Sequence, residues 1–482
     1  MTEWSTYQQD IFTHVAEAKH VSAIVEAVAG SGKTTTLVQA LQHVPFDELA
    51  LFLAFNKRIA DELRSRVPSD VDARTFNSLG FQAVRKQMKV EMDANKMKKF
   101  VQQNANDKLK EEAFSPIMQL IGSGKSSGAG FIIPNNRSVY EEIADQHDIT
   151  LPEGMEHQVF QLVQQAIDWS YRETKTIDFD DQILYPLYFG LDMPKYNCVF
   201  VDEAQDLSPL QHEFLASLLH DPDRSRVIAV GDTRQAIYGF RGADSNSMTN
   251  LEHRFSMKQL PLSITYRCPL SVVRLAQQIA PELEPYERAI EGAVNHHDVL
   301  PPLENFTPQD LVLCRTNAPL LKLAMSFLKR RFAVYVWGDF GNKMIRFIKS
   351  FKAQNIDDFW QKLADWREQE ISDAEQKEQW SRIGRTEDKY ESITVVGEKA
   401  QTPEAICERF ERLFSPSEGV SLATIHKSKG TEADNVYLLE PGLIPSRYAT
   451  QPWMKEQENN LLYVAYTRAK TTFNFLPDGG IE

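Results

Sequence analysis

Six consecutive residues, Gly30-Ser31-Gly32-Lys33-Thr34-Thr35, combine unhindered backbone amides, an ammonium group and hydroxyls, and the small Ala29 stands just before them. That combination suits a nucleoside triphosphate. The apolar run before it, Ile24-Val25-Glu26-Ala27-Val28, predicts strand, glycine-rich loop and helix in succession. In that arrangement backbone N–H groups and a helix N-terminus surround the phosphates, Lys33 reaches the β and γ groups, and the Thr34 hydroxyl holds Mg²⁺. Ala27 departs from the P-loop pattern, which has glycine at that place. Such a loop also needs an acidic strand end, and Cys198-Val199-Phe200-Val201-Asp202-Glu203 supplies one. Asp202 is expected to bind Mg²⁺, and Glu203 to orient or deprotonate the attacking water. Carboxylates after a strand also serve as helix caps. With the glycine loop present, the ATP and Mg²⁺ reading takes precedence.

Two further stretches carry chemistry with less force. Gly122-Ser123-Gly124-Lys125-Ser126 resembles a second phosphate loop, but Gln119 occupies the place of the first small residue and no strand precedes it. It reads as a flexible loop, or as one whose amides and Lys125 touch nucleic-acid phosphate. The basic residues Arg85, Lys86, Lys89, Lys96, Lys98 and Lys99 form either a solvated helix face or a phosphate track.

Placing the first set of groups requires a sheet. Short β-branched or apolar runs at 24–27, 51–55, 198–201, 227–230 and 260–264 alternate with helix-like segments, as in a parallel α/β sheet. A second series at 311–314, 334–337, 421–425, 436–439 and 472–475 implies a second such domain. Mostly helical sequence interrupts each half. The whole chain of 482 residues, 42% hydrophobic and 25% charged, has the composition of soluble globular domains. No apolar run reaches the ~20 residues of a membrane span, and the start lacks a signal-peptide pattern, so a cytoplasmic protein with no membrane partner is expected. The four cysteines form no CxxC pair and are expected to be reduced and structural. A net charge of −14 argues against a uniformly basic nucleic-acid binder but leaves room for a local basic track.

Several longer blocks make the reading specific. They are Asp202-Glu203-Ala204-Gln205-Asp206, the run 230–243 beginning Val230-Gly231-Asp232-Thr233-Arg234-Gln235, Thr265-Tyr266-Arg267, Thr424-Ile425-His426-Lys427-Ser428-Lys429-Gly430-Thr431-Glu432 and Leu462-Tyr463-Val464-Ala465-Tyr466-Thr467-Arg468-Ala469. In content and order the chain resembles superfamily 1 helicases of the UvrD/Rep/PcrA type. The resemblance implies two RecA-like P-loop domains with ATP in the cleft between them and mainly helical insertions. On that pattern residues 1–85 and 192–265 form the first domain and 86–191 its insertion. Residues 266–349 and 419–482 form the second domain, and 350–418 a reduced second insertion.

The resemblance also implies roles. Gln8 would read the adenine edge, Tyr266 stack on its ring, and Glu432 bind the ribose. Gln235 would sense the γ-phosphate, while Arg267 and Arg468 would neutralise charge on the transferred phosphoryl group. Phe55, Asn56, Lys57, Thr75, Asn77, Tyr238, Phe240 and His426 match strand-contacting positions, where aromatic stacking is indifferent to base sequence. There are departures: Asn77 replaces a usual histidine, Arg234 stands where an acid is common, and Asn459 and Asn460 where arginines are usual.

The resulting expectation is an ATP-driven motor on single-stranded DNA and its duplex junctions, moving 3′ to 5′, monomeric, with replication or recombination proteins as further partners. The bacterial or phage-infected cytoplasm is its expected setting. An ATPase that removes proteins with little unwinding, a nuclease subunit and a non-hydrolysing nucleotide binder are the alternatives.

Overall fold

Runs such as Val199-Phe200-Val201 and Val227-Ile228-Ala229 are apolar at every position, as strands buried on both faces must be. The computed structural model describes residues 3–479 apart from 55, 70, 147–148, 150, 153, 222, 238–245, 377–379, 416–417 and 450. Contacts divide the chain into two units, Met1–Ser263 and Ile264–Glu482.

The first unit is built on β1 (Ala23–Ala27), β2 (Ala50–Leu53), β3 (Asp72–Arg74), β4 (Cys198–Val201), β5 (Arg226–Gly231) and β6 (Lys258–Leu262). All pairs are parallel, and the six strands lie in the order β3-β2-β4-β5-β1-β6. Successive side chains feed opposite layers. Phe52, Cys198, Phe200 and Ile228 join one hydrophobic cluster, while Leu51, Leu53, Val199, Val201 and Val227 join the other.

Between β3 and β4 the chain is mainly helical. Helix Phe76–Gln87 packs on helix Asp181–Tyr188 at Gly80, where a Cβ would lie 1.8 Å from the Gln182 carbonyl oxygen. The stretch 122–126 expected as a loop is instead the end of helix Phe114–Ser126. Its lysine does not face phosphate. Lys125 is 1% exposed, and its Nζ lies 2.6 Å from Asp178 and 2.7 Å from Asp181. Lys96 is likewise no part of a surface track: it is 1% exposed, and its Nζ lies 2.7 Å from both Asp181 and the Tyr185 hydroxyl. The apolar residues Ile117, Leu120 and Ile121 bury one face of helix 114–126, so its glycines tolerate helix and the ammonium is drawn inward to paired carboxylates.

The second unit repeats the plan with β7 (Ala293–His296), β8 (Asp310–Cys314), β9 (Val334–Val336), β10 (Val420–Thr424), β11 (Ala433–Leu438) and β12 (Ala469–Phe475). These six are also parallel, in the order β7-β12-β11-β8-β10-β9. Helices Ile356–Gln376, Trp380–Gly397 and Pro403–Phe414 follow β9. Asp388 ties this group to the sheet by accepting the Asn317 and Ala318 N–H groups at 2.8 Å, capping helix Ala318–Lys329. The strand expected over 260–264 ends at Leu262, and Ile264–Thr265 pairs instead with Glu284–Pro285 in the second unit. The four cysteines are free and buried. Among the described residues no helix is long and apolar enough to cross a membrane.

Candidate nucleotide and nucleic-acid site

Because β4, β5 and β1 are neighbours and parallel, the residues at their carboxyl ends share one edge of the first sheet. The loop after β1 turns through Gly30 (φ +74°) and Gly32 (φ +77°), the left-handed region that glycine enters without penalty. Gly32 caps helix Lys33–Ala40, so the amides at the start of that helix open toward the loop. Lys33 and Thr34 are half-buried, Thr35 is exposed, and Ala29 and Ser31 are fully buried. The Ser31 hydroxyl is buried with no hydrogen-bond partner. Together with the left-handed glycines this is the cradle a polyphosphate would fill.

Thr34 Oγ1 donates to Asp202 Oδ2 at 2.5 Å. Asp202 is 3% exposed, and its carboxyl is pushed up to about 6, first by burial and then by the neighbouring Glu203 carboxylate. A hydroxyl and a buried carboxylate at this separation are a donor pair suited to Mg²⁺. Among the described residues no group of three or more His, Cys, Asp or Glu side chains is arranged to hold a metal. Glu203 follows in a left-handed conformation (φ +54°, ψ 42°), its N–H donating to Asp202 Oδ1 at 2.9 Å.

Gln8 is buried rather than displayed. It closes the capping box of helix Thr6–Glu17 with Ser5, and its Nε2 donates to Thr36 Oγ1 at 2.9 Å, which sets it beside the helix that follows the glycine loop. Gln235, 5% exposed, donates to Asp232 Oδ2 at 2.6 Å beyond the end of β5. Gln8, Ser31, Thr34, Asp202, Glu203 and Gln235 are thus all carried by the first unit.

Of the positions expected to contact a nucleic-acid strand, Asn56, Lys57, Thr75 and Asn77 lie farther along the same sheet edge, after β2 and β3. Asn56 caps helix Lys57–Leu63 by accepting from the Ile59 N–H, leaving Lys57 exposed. Thr75 caps helix Phe76–Gln87, and Asn77 Nδ2 donates to the Phe179 carbonyl at 2.8 Å. Phe179 itself is 60% exposed. It stands in the run Asp178-Phe179-Asp180-Asp181, whose Asp178 and Asp181 are buried, so the exposure of the ring is not legible from its neighbours. Phe55, Tyr238 and Phe240 lie outside the described residues.

Tyr266, Arg267, His426, Glu432 and Arg468 belong to the second unit. Arg267 Nε donates to Glu432 Oε2 at 2.8 Å and a guanidinium N–H to the Thr467 carbonyl at 3.1 Å. Arg468 is 1% exposed and donates to the carbonyls of Val464 and Thr431 and to Thr467 Oγ1. Both arginines are therefore held by the same two segments, 431–432 and 467–468. Helix Pro452–Tyr466, which leads to Arg468, is fixed by a forked ion pair between Arg315 and the buried Glu458. Tyr266 is partly exposed, 5.1 Å from the Tyr286 ring, and His426 is half-buried in the turn Ile425–Ser428.

Comparison with known proteins places this arrangement among helicase sequences. The profile of the UvrD/REP helicase N-terminal domain matches residues 5–256, and that of the UvrD-like helicase C-terminal domain matches residues 342–475. The F-box DNA helicase protein 1 of Schizosaccharomyces pombe is 26% identical over 492 residues, covering 92% of this chain and 54% of that protein. The F-box DNA helicase 1 of Gallus gallus is 26% identical, covering 96% of this chain and 48% of the relative. The putative ATP-dependent DNA helicase YjcD of Bacillus subtilis is 23% identical, covering 93% and 76%. The chain spans about half the length of the first two.

Proposed function

The chain belongs to the UvrD/REP helicase family, and on that footing we propose that it is an ATP-dependent DNA helicase or translocase that moves 3′ to 5′ along single-stranded DNA. The observation that carries the ATPase part is the glycine loop with its buried Ser31 hydroxyl, joined to the acidic strand end by the Thr34–Asp202 contact. Lys33 binds the β and γ phosphates, Thr34 and Asp202 would hold Mg²⁺, and Glu203 takes the proton of the attacking water. Mg²⁺, when bound, neutralises charge on the β and γ oxygens.

Gln8 selects adenine, Tyr266 stacks on it, and Glu432 binds the ribose. Gln235 registers the γ-phosphate. Arg267 and Arg468 stabilise the transferred phosphoryl group, an effect of roughly 10³–10⁵ in rate in other phosphoryl-transfer systems. Asn56, Lys57, Thr75, Asn77 and His426 contact the strand backbone, Phe55, Tyr238 and Phe240 its bases. The enzyme acts as a monomer on single strands and duplex junctions, alongside replication or recombination proteins.

The reading is tested by ATP hydrolysis with and without single-stranded DNA. Stimulated hydrolysis that disappears in Lys33→Ala is expected; hydrolysis indifferent to DNA, or surviving that substitution, would overturn it. A duplex with a 3′ or a 5′ tail then sets polarity, and equal unwinding of both would contradict the 3′ to 5′ assignment. The short insertion after β9 favours one second reading, a DNA-stimulated ATPase that removes bound proteins and unwinds little. Stimulated hydrolysis without strand separation on either tail would select it.

A further inference from the structure

Glu203 and Gln235 have separate roles in the proposed reaction, one at the attacking water and one at the γ-phosphate. A third side chain, with no role so far, connects them. Gln205 is 2% exposed, and its amide is fully engaged. Its Nε2 donates to Glu203 Oε2 at 2.6 Å and lies 3.4 Å from Asp206 Oδ2. Its Oε1 accepts the Asp232 N–H at 3.1 Å. Asp232 in turn receives Gln235 Nε2 on Oδ2 at 2.6 Å and the Arg234 N–H on Oδ1 at 3.1 Å.

The partners fix the amide's orientation. Carboxylates only accept and a backbone N–H only donates, so the reversed amide would set oxygen against oxygen and N–H against N–H. A glutamine is required for this bridge: glutamate would add another carboxylate to a cluster already holding Asp202, Glu203 and Asp206, and an aliphatic residue would leave the Asp232 N–H without its buried acceptor.

Two backbone features show that the bridge is under constraint. Glu203 adopts a left-handed conformation that costs a non-glycine residue about 1–3 kcal/mol and persists only where the surroundings enforce it. On that enforced backbone, the 2.6 Å contact with Gln205 is a restraint on the direction of the Glu203 side chain. Gly231, the last residue of β5, lies so close that a Cβ there would sit 2.8 Å from Gln205 Oε1 and 2.5 Å from Met248 Sδ. The absence of a side chain at 231 is what lets the amide reach the Asp232 N–H.

We propose that Gln205 is a positioning residue that aims the Glu203 carboxylate at the attacking water and couples it, through Asp232, to Gln235. This rests on the ATPase reading above. A shift of Gln235 on meeting or losing the γ-phosphate pulls on Asp232, and the amide carries that displacement to Glu203, so the base is aligned only while the sensor is engaged.

The test is a double-mutant cycle in the full chain, reading ATPase kcat with saturating single-stranded DNA and, separately, affinity for a fluorescent ADP analogue. Gln205→Leu is expected to lower kcat by about 10- to 100-fold, the usual penalty for a misplaced reacting group, with ADP-analogue affinity within about twofold of wild type. In a Glu203→Gln background, measured over single turnovers, the same substitution should cost nothing further, because the group it positions is gone. Gln205→Asn, which keeps the amide but withdraws it by one methylene, gives the same cycle should Gln205→Leu not fold. Losses that multiply in the Glu203→Gln background, or a fall in kcat matched by a fall in ADP-analogue affinity, would overturn the proposal while leaving the ATPase reading intact. A wild-type chain without DNA-stimulated hydrolysis would remove both.

Discussion

Arg267 lies between two acceptors of different kinds, the Glu432 carboxylate and the Thr467 carbonyl, and only a forked, planar cation reaches both. A lysine at 267 keeps the charge but can occupy one of those places at a time. Arg267→Lys should therefore lower kcat by tenfold or more while leaving binding of a fluorescent ADP analogue nearly unchanged, since ADP lacks the phosphate proposed for this arginine. Equal losses in both would instead mark Arg267 as a nucleotide-binding group. At this scale the sequence spoke clearly about side-chain types and poorly about their partners. Lys33, Thr34, Asp202 and Glu203 stand in runs whose composition predicts phosphate and Mg²⁺ binding, and the fold brings Thr34 and Asp202 into contact. Gln205 lies two residues from Glu203 in the same run, but its contact with Asp232 depends on β4 and β5 lying side by side, and the contact of Phe179 with Asn77 joins residues 102 apart, which no local spacing encodes. Gln8, expected as an adenine reader, also closes a helix cap, a second use that only the Ser5 and Thr36 contacts reveal.

Elements show the same division between local pattern and distant partner. Strands with continuous apolar runs, such as β4 and residues 227–230 of β5, were legible because burial on both faces demands such runs. The edge strands Asp72–Arg74 and Ala293–His296 were not, being short and polar, with one neighbour each to define them. The helix ending at Ser126 reads as a loop in the sequence because Gly122 and Gly124 are weak helix formers, and the packing that overrides them comes from far along the chain. Lys125 shows how strongly that helix is fixed. Lys125→Met leaves Asp178 and Asp181 sharing Lys96 alone, and it should destabilise the first unit by about 3–5 kcal/mol, the cost of stranding a buried charge. Chemical denaturation measures this, and a loss under about 1 kcal/mol would refute it.

In the second unit a lysine carries the opposite expectation. Lys389 Nζ lies 3.3 Å from the centre of the Phe347 ring and 5.0 Å from that of Trp366, and burial pushes it down from 10.5 to about 8. Its folded value is below its ordinary one, so the stability it contributes is full above about pH 10 and is lost as pH falls through about 8. Lys389→Met should raise the thermal midpoint at pH 7 and flatten the rise between pH 8 and pH 10 seen in the wild type. A variant whose pH dependence matches the wild type would contradict this.

For the molecule as a whole, each unit has its own six-stranded parallel sheet and its own hydrophobic core, two clusters in the first unit and a separate one in the second, and the chain passes from one to the other between Ser263 and Ile264. Stability is then a property of each unit. Gly80→Ala forces a Cβ into the Gln182 carbonyl and disrupts only the first unit's packing of helix 76–87 on helix 181–188. Phe410→Ala empties a fully buried site in the second unit's core, at a cost of about 3–5 kcal/mol. Calorimetry of the full chain should show two transitions, with Gly80→Ala lowering one and Phe410→Ala the other, each by about 10 °C for units of this size. ATP analogues with Mg²⁺ should raise the transition sensitive to Gly80→Ala by linkage, about 3 kcal/mol at a hundredfold excess over Kd, and Lys33→Ala should abolish that rise. If both substitutions displaced a single transition together, the two sheets would unfold as one cooperative body and stability could not be assigned unit by unit.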